Sequence, residues 1–294
     1  MHAGRVSPKQ PALRRRNSAR RGAATMAQPR AEIKPAVIVG GGRVGEALAK
    51  MNPAGTDVFM RRGESFPSDA PAEGPIYVCT RNDALEAVIE ATPADRRGDL
   101  VFLQNGYLDS FLAEQGLADA TQVLVYFAVA KLGDAPTDGV TDLNPEGLTA
   151  ACGKYAEAMA ERLHSNGLSC HVLEEKAFKA SMLEKLIWIS SFMLVGATHE
   201  GVSVGEVESE HTEELTALVN ELAGAASELG VTLGPQLPER LRAYGRSVAH
   251  FPTAVKEFQW RNQFFYDIST KASSDPFPTH TALLEKAGVV PVKA

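Results

Sequence analysis

Gly40-Gly41-Gly42-Arg43-Val44-Gly45 places glycines in the pattern Gly-x-Gly-x-x-Gly. The apolar run Val37-Ile38-Val39 precedes it, and Glu46-Ala47-Leu48-Ala49-Lys50-Met51 follows with helical character. Between a strand and a helix, each glycine has a task. The first permits a tight turn, the second lets backbone approach a pyrophosphate, and the third lets helix and strand pack closely, while the helix N-terminus faces phosphate. The chemistry implied is dinucleotide binding, with a ligand-free turn as the alternative. Gly40, Gly42, Arg43, Val44 and Gly45 are the candidate contacts. At the end of the next strand, where an NAD site usually presents Asp or Glu, stand Arg61 and Arg62. Guanidinium groups there pair with a 2′-phosphate, which favours NADP (NADPH) over NAD. A solvated basic loop is the other reading.

A second feature is Lys185. It lies near the start of MLEKLIWISSFMLVGA, Met182 to Ala197, which is apolar on nearly every side and would be buried as a helix. Burial strips an ammonium of its hydration, and lysines are seldom fully buried without a partner. Either Lys185 snorkels to water from an edge, or it faces a polar cleft where its charge is used.

The elements that must position these residues alternate. Strands are expected at Lys34–Val39, Asp57–Met60, Ile76–Cys79, Leu100–Leu103 and Val123–Phe127, with helices at Glu46–Met51 and about Asp83–Ala91. Such alternation implies a parallel sheet covered on both faces. Only Gly63 to Gly74 links the second strand to the third, too short for a full crossover helix. After about Gly147 the periodicity turns helical, with helices expected over Leu148–Asn166, Glu174–Ala197, Thr212–Leu229, Gln236–Ala249, Thr253–Lys271 and Thr279–Lys286. Only Ser169–Leu173 reads as a strand there. The expected fold class is α/β: an N-terminal Rossmann-like parallel sheet over 34–147, then a mostly α-helical C-terminal domain over 148–294, divided after the turn Asp142-Leu143-Asn144-Pro145-Glu146-Gly147.

Composition narrows the function classes. With 294 residues and 44% hydrophobic content the chain is long enough for two modest domains. A net charge of -6 implies no general nucleic-acid affinity. The three cysteines, Cys79, Cys152 and Cys170, form no CxxC and read as buried thiols of a reducing compartment. The histidines show no HExxH, so no metal site is expected, and no GxSxG supports a hydrolase. No membrane span is expected, because the apolar run after Lys185 is short and broken by Ser190 and Ser191. Residues 1–33 are rich in Arg, lack an apolar h-region and hold no acid before Glu32. Such a leader fits an organelle transit peptide, plastid ahead of mitochondrion, with a basic tail carrying no address as the alternative. Met26 offers an internal start for a cytoplasmic form.

Taken with Phe102-Leu103-Gln104-Asn105-Gly106, Glu184-Lys185-Leu186 and Glu257-Phe258-Gln259-Trp260-Arg261-Asn262-Gln263, the glycine loop resembles the ketopantoate reductase (2-dehydropantoate 2-reductase) family. The matching segments fall in order over most of residues 35–290. The resemblance implies an NADPH-dependent reductase of a 2-keto acid, ketopantoate by default. The surface of the helical domain offers a face for a homodimer, although no stripe in the sequence marks it. Lys185 would donate a proton to the carbonyl oxygen as hydride arrives at the carbonyl carbon; a cation in a dry cleft suits a developing alkoxide. Desolvation should lower its pKa toward the working range. Glu257 would hold a substrate hydroxyl and help orient the lysine. Asn105 would orient cofactor, lysine and substrate. Glu257 could instead be an exposed helix residue, and Asn105-Gly106 only a turn.

The chain also departs from the pattern. Where the family places asparagines four and eight residues beyond the lysine, it has Ile189 and Met193. Thr80 stands where the family often has a strand-end lysine, and the family's substrate-binding serine can be matched only to Ser247. The polar grip on the substrate is therefore partly apolar. An amide cannot become isoleucine without changing or weakening the ligand. A reductase of the same fold acting on a more apolar carbonyl compound, and a non-catalytic NADP-binding protein, stand as alternatives.

Overall fold

In the computed structural model, Met1 and residues 33–292 are described. The leader expected over 1–33, with the internal start at Met26, falls outside them apart from Met1 and Ile33.

The strands are β1 (Val37–Val39), β2 (Val58–Met60), β3 (Ile76–Val78), β4 (Leu100–Phe102), β5 (Thr121–Leu124), β6 (Ala150–Cys152) and β7 (His171–Val172). They form one sheet in the order β2-β1-β3-β4-β5-β6-β7. Strands β1 to β5 are parallel, with Ile38 in register between Phe59 and Tyr77. Strand β6 pairs antiparallel with β5, and β7 runs parallel to β6. Every residue of β1, β3 and β4 is buried. Their continuous apolar sequence, rather than an alternating one, follows from a sheet covered on both faces.

Four helices flank the sheet: α1 (Arg43–Lys50), α2 (Leu85–Ala91), α3 (Asp109–Glu114) and α4 (Ala156–His164). One face packs Ile38, Tyr77 and Val101 against Leu48 of α1 and Met159 and Leu163 of α4. The other packs Val37, Val78 and Phe102 against Leu85, Ile89 and Leu112. Between β2 and β3 the chain crosses without a helix, as its length requires. Arg96 fastens that crossing by donating to Pro71 O at 2.7 Å and Gly74 O at 3.1 Å.

Beyond the sheet lie α5 (Glu175–Thr198), α6 (Val204–Glu210), α7 (Thr212–Leu222), α8 (Leu237–Ser247), α9 (Asn262–Lys271) and α10 (Pro278–Lys286). Helix α5 is their axis. It is buried almost all round, among Leu215, Leu218, Leu241, Phe265 and Leu284, which explains its unpatterned apolar sequence. At 24 residues it is long and apolar enough to cross a membrane by length and composition, despite Ser190 and Ser191, but 72% of its apolar window is buried inside the fold. It is therefore a core helix here. A capping box, Ser203 with Glu206, starts α6.

Several expectations need correction. Leu148–Asn166 is not one helix: β6 occupies its first part, and Gly153, at φ +106°, turns the chain into α4. A short apolar run such as Ala150–Cys152 carries no period that separates strand from helix. With β6, β7 and α4 belonging to the sheet layers, the sheet continues past residue 147. The described residues from Ile33 onward fall within a single compact unit. The helix expected over Thr253–Lys271 begins only at Asn262. Before it, Glu257 has φ +49° and a 3-10 turn spans Phe258–Trp260. The helix expected over Thr212–Leu229 ends at Leu222, and a 3-10 turn follows at Ala223–Ala226.

Arg162 of α4 is wholly buried. It reaches Asp57 with bonds of 2.6 and 3.0 Å, donates to Leu48 O and Lys34 O, and lies over the Tyr77 ring. This ion pair locks α4 to the start of β2.

Candidate active site

The glycine loop leaves the C-terminal end of β1. Gly40 has φ +101°, a conformation that side chains rarely adopt, and its amide donates to Met60 O. A Cβ on Gly45 would fall 2.0 Å from Gly40 O, so only glycine lets α1 pack against the strand. Gly42 is the N-cap of α1, and a Cβ there would meet open space. These are the properties a pyrophosphate cradle needs. Thr80, at the end of β3, lies against the loop, and its buried hydroxyl has no hydrogen-bond partner among the described residues. Val44 is half-buried in the first turn of α1. Arg43 is exposed and donates to Val129 O and Ala130 O at 3.1 Å each, tying the loop to the segment after β5. Arg61 lies across the loop. Its Nη1 would sit 2.6 Å from a Cβ on Gly41, its Nη2 lies 4.0 Å from Glu46 Oε1, and its backbone N donates to Glu64 Oε2 at 2.6 Å. Arg62 is exposed. The residues present therefore fit a dinucleotide, with the exposed residues Arg61 and Arg62 at the end of β2.

Asn105 is the exposed residue beyond β4. Neighbouring strand ends hold its loop: Gln104 Nε2 donates to Val78 O and Thr80 O, and Asn82 Nδ2 donates to Asn105 O. The next residues dock on the chain before α9. Tyr107 N donates to Trp260 O at 2.7 Å, and a Cβ on Gly106 would fall 2.3 Å from that oxygen. Asn105 is thus a turn residue, held at the sheet edge and joined to the Glu257 segment.

Lys185 does not snorkel. Only 6% of the residue is exposed. Its Nζ donates to Val125 O, just beyond β5, at 2.5 Å and stands 4.5 Å from the centre of the Tyr126 ring. Burial, and after it the charge of Arg261, lowers its pKa from 10.5 to about 7. Tyr126 is itself pinned, edge to face on Tyr244 at 4.9 Å. Glu257 has a partner the sequence did not announce: Arg261 donates to its Oε2 at 2.5 Å. Arg261 is mostly buried, and desolvation lowers its pKa. Its spacing from Glu257, i and i+4, was the available signal, although the pair spans a 3-10 turn rather than an α-helix.

The C-terminal ends of β1, β3, β4 and β5 therefore carry the glycine loop, Thr80, Asn105 and the carbonyl that holds Lys185. Ligands of open α/β sheets bind at that edge. Arg261 pairs with Glu257, and its charge is the second cause, after burial, that lowers the pKa of Lys185. Ile189 is buried and Met193 half-buried on α5. Ser247 is exposed at the end of α8, its hydroxyl turned back to Tyr244 O at 2.8 Å, with no hydrogen bond to the Lys185 or Glu257 side chains among the described residues. A cleft of about 760 Å³ between α3 and α9, lined by Phe111, Trp260 and Gln263 among others, lies beside this group and does not include Lys185.

No family model and no curated protein matches the chain. Solved structures do match. A PanE/ApbA family ketopantoate reductase from Ralstonia eutropha JMP134 aligns with TM-score 0.66 at 14% identity, over 87% of this chain and 97% of that one. A dimeric ketopantoate reductase from Staphylococcus aureus gives 0.63 at 15%, over 87% and 98%. D-mandelate dehydrogenase, solved with NADH and anilino(oxo)acetate, gives 0.63 at 15%, over 87% and 97%. At such identities the likeness is one of fold, and the fold of this chain is that of the ketopantoate reductases and their Rossmann-type relatives.

Proposed function

We propose that this chain is an NADPH-dependent reductase of a 2-keto acid, with Lys185 as its proton donor. The observation that carries the reading is the buried ammonium at the sheet edge, with its pKa brought to about 7. A general acid is most effective when its pKa lies near the working pH. Lys185 would hold the carbonyl oxygen and release its proton to it, with Val125 O fixing the direction of Nζ. Tyr126 and the apolar wall of α5 keep water away. Glu257 and Asn105 would orient the substrate and the cofactor. When bound, the dinucleotide supplies the hydride. Fold neighbours that act on keto and hydroxy acids support the reaction class. Arg61 and Arg62 support NADPH over NADH.

Ile189 and Met193 favour a second reading within the same chemistry, a carbonyl substrate with a more apolar side chain than ketopantoate. A protein that only binds NADP has no need of the lysine. The test follows loss of NADPH, and of NADH, with ketopantoate and a panel of branched and aromatic 2-keto acids. Lys185→Ala should lower turnover by about 10²–10⁴. Unchanged turnover in that variant would refute the mechanism, and failure to prefer any apolar substrate over ketopantoate would refute the second reading. We also propose a homodimer and plastid import by the leader; sedimentation and import of a tagged chain into isolated plastids test these.

A further inference from the structure

We propose that Arg261 is the anchor for the substrate's carboxylate, an assignment that rests on the 2-keto acid reading above and narrows it. Four observations converge on this side chain. It is mostly buried beside the candidate site and ion-paired with Glu257 through Nη2. Its Nε is buried with no hydrogen-bond partner among the described residues, so one donor of the fork remains to be used. Its backbone belongs to a segment that starts from a left-handed glutamate, Glu257 at φ +49°. A non-glycine residue persists in that conformation only where its surroundings hold it, and such residues cluster at ligand sites. The segment is fastened to the Asn105 loop by the Trp260 O bond to Tyr107 N.

The charge arithmetic agrees. Glu257 already offsets one positive charge, and Lys185 must lose its own in the reaction. Arg261, which keeps its charge at any ordinary pH, lowers the pKa of Lys185. The group therefore suits a ligand bearing one negative charge next to a carbonyl. A guanidinium is the side chain best matched to a carboxylate, because its planar N–H groups donate charge-assisted hydrogen bonds to carboxylate oxygens, and here Nε is the donor left to give one. It would replace the neutral amides that Ile189 and Met193 do not provide.

The full-length chain is assayed with NADPH as wild type, Arg261→Lys and Arg261→Met, on an aryl 2-keto acid and on its methyl ester. The ratio of kcat/KM for acid over ester should fall about 10- to 100-fold in Arg261→Met, the loss expected for one charge-assisted hydrogen bond, and less in Arg261→Lys. Most of the change should lie in KM for the acid. Equal losses on acid and ester would overturn the assignment and leave Arg261 as a brace for Glu257. Arg261→Lys keeps the measurement decisive if Arg261→Met does not fold. If wild type reduces neither compound, it is the reductase reading that has failed, and binding then judges the anchor. Oxamate titrated against tryptophan fluorescence should bind wild type and bind Arg261→Met at least about tenfold more weakly. Equal binding, or none to wild type, overturns the anchor.

Discussion

Lys185 allows a test that needs no substrate. In the unfolded chain its pKa is the ordinary 10.5, and in the folded chain it is about 7, chiefly through burial and secondarily through Arg261. Between those values the unfolded state holds a proton that the folded state has released. Stability must therefore rise with pH across this window, by about 1.4 kcal/mol per pH unit from this one group. Below pH 7 both states are protonated and the folded protein carries the full cost of a buried ammonium. That cost is on the order of 5 kcal/mol relative to pH above 10.5. Lys185→Met keeps the side chain's length and apolar stem and removes the titration. Unfolding in urea would be followed for wild type and Lys185→Met at pH 6, 7, 8 and 9. Other titrating groups cancel in the difference between the two proteins. The variant should be more stable at pH 6, and its advantage should shrink by about 2 kcal/mol between pH 7 and 9, since Lys185 is already half-titrated at pH 7. A difference that stays flat would show that Lys185 titrates near its ordinary value and is solvated, which would remove the physical basis for its role as an acid.

Two further perturbations follow from the same geometry. Arg61→Ala should reduce the preference for NADPH over NADH by about tenfold, since it removes one half-exposed charge-assisted contact to a 2′-phosphate; an unchanged ratio of the two kcat/KM values would leave Arg61 as a solvated loop residue. Arg162→Met should cost about 3–5 kcal/mol of stability by stranding the buried Asp57 carboxylate, and adding Asp57→Asn should recover part of it; a single variant that melts with wild type would contradict the buried ion pair.

The parts of the fold legible in the sequence are those with a local steric cause. Gly40 and Gly45 could be assigned tasks because a left-handed turn and a 2.0 Å backbone approach admit nothing larger. The missing helix between β2 and β3 was legible from length alone. Helix α5 was legible because twenty-four residues without polar periodicity must be buried somewhere. Other features were not. Ala150–Cys152 is a strand because β5 offers it an open antiparallel edge, a long-range fact its own residues do not encode. Arg162 sits on a helix whose other charges are solvated, and nothing in its spacing shows that Asp57, 105 positions away, is its partner.

The site divides along the same line. Lys185 stood out because a charge in an apolar run violates a local rule, and such violations concentrate at functional positions. Glu257 was placed on a helix because Lys256-Glu257-Phe258-Gln259 has no breaker, yet docking of Trp260 on the Asn105 loop holds it in a left-handed turn. That turn brings Arg261 onto Glu257 and its charge into reach of Lys185. The motif that carries the family resemblance gives Arg261 no part, and a lone arginine in a sequence is ordinarily a surface cation. Its partial burial reverses that reading. A guanidinium withdrawn from water, paired once and with a donor to spare, is costly to keep unless something negative is meant to meet it.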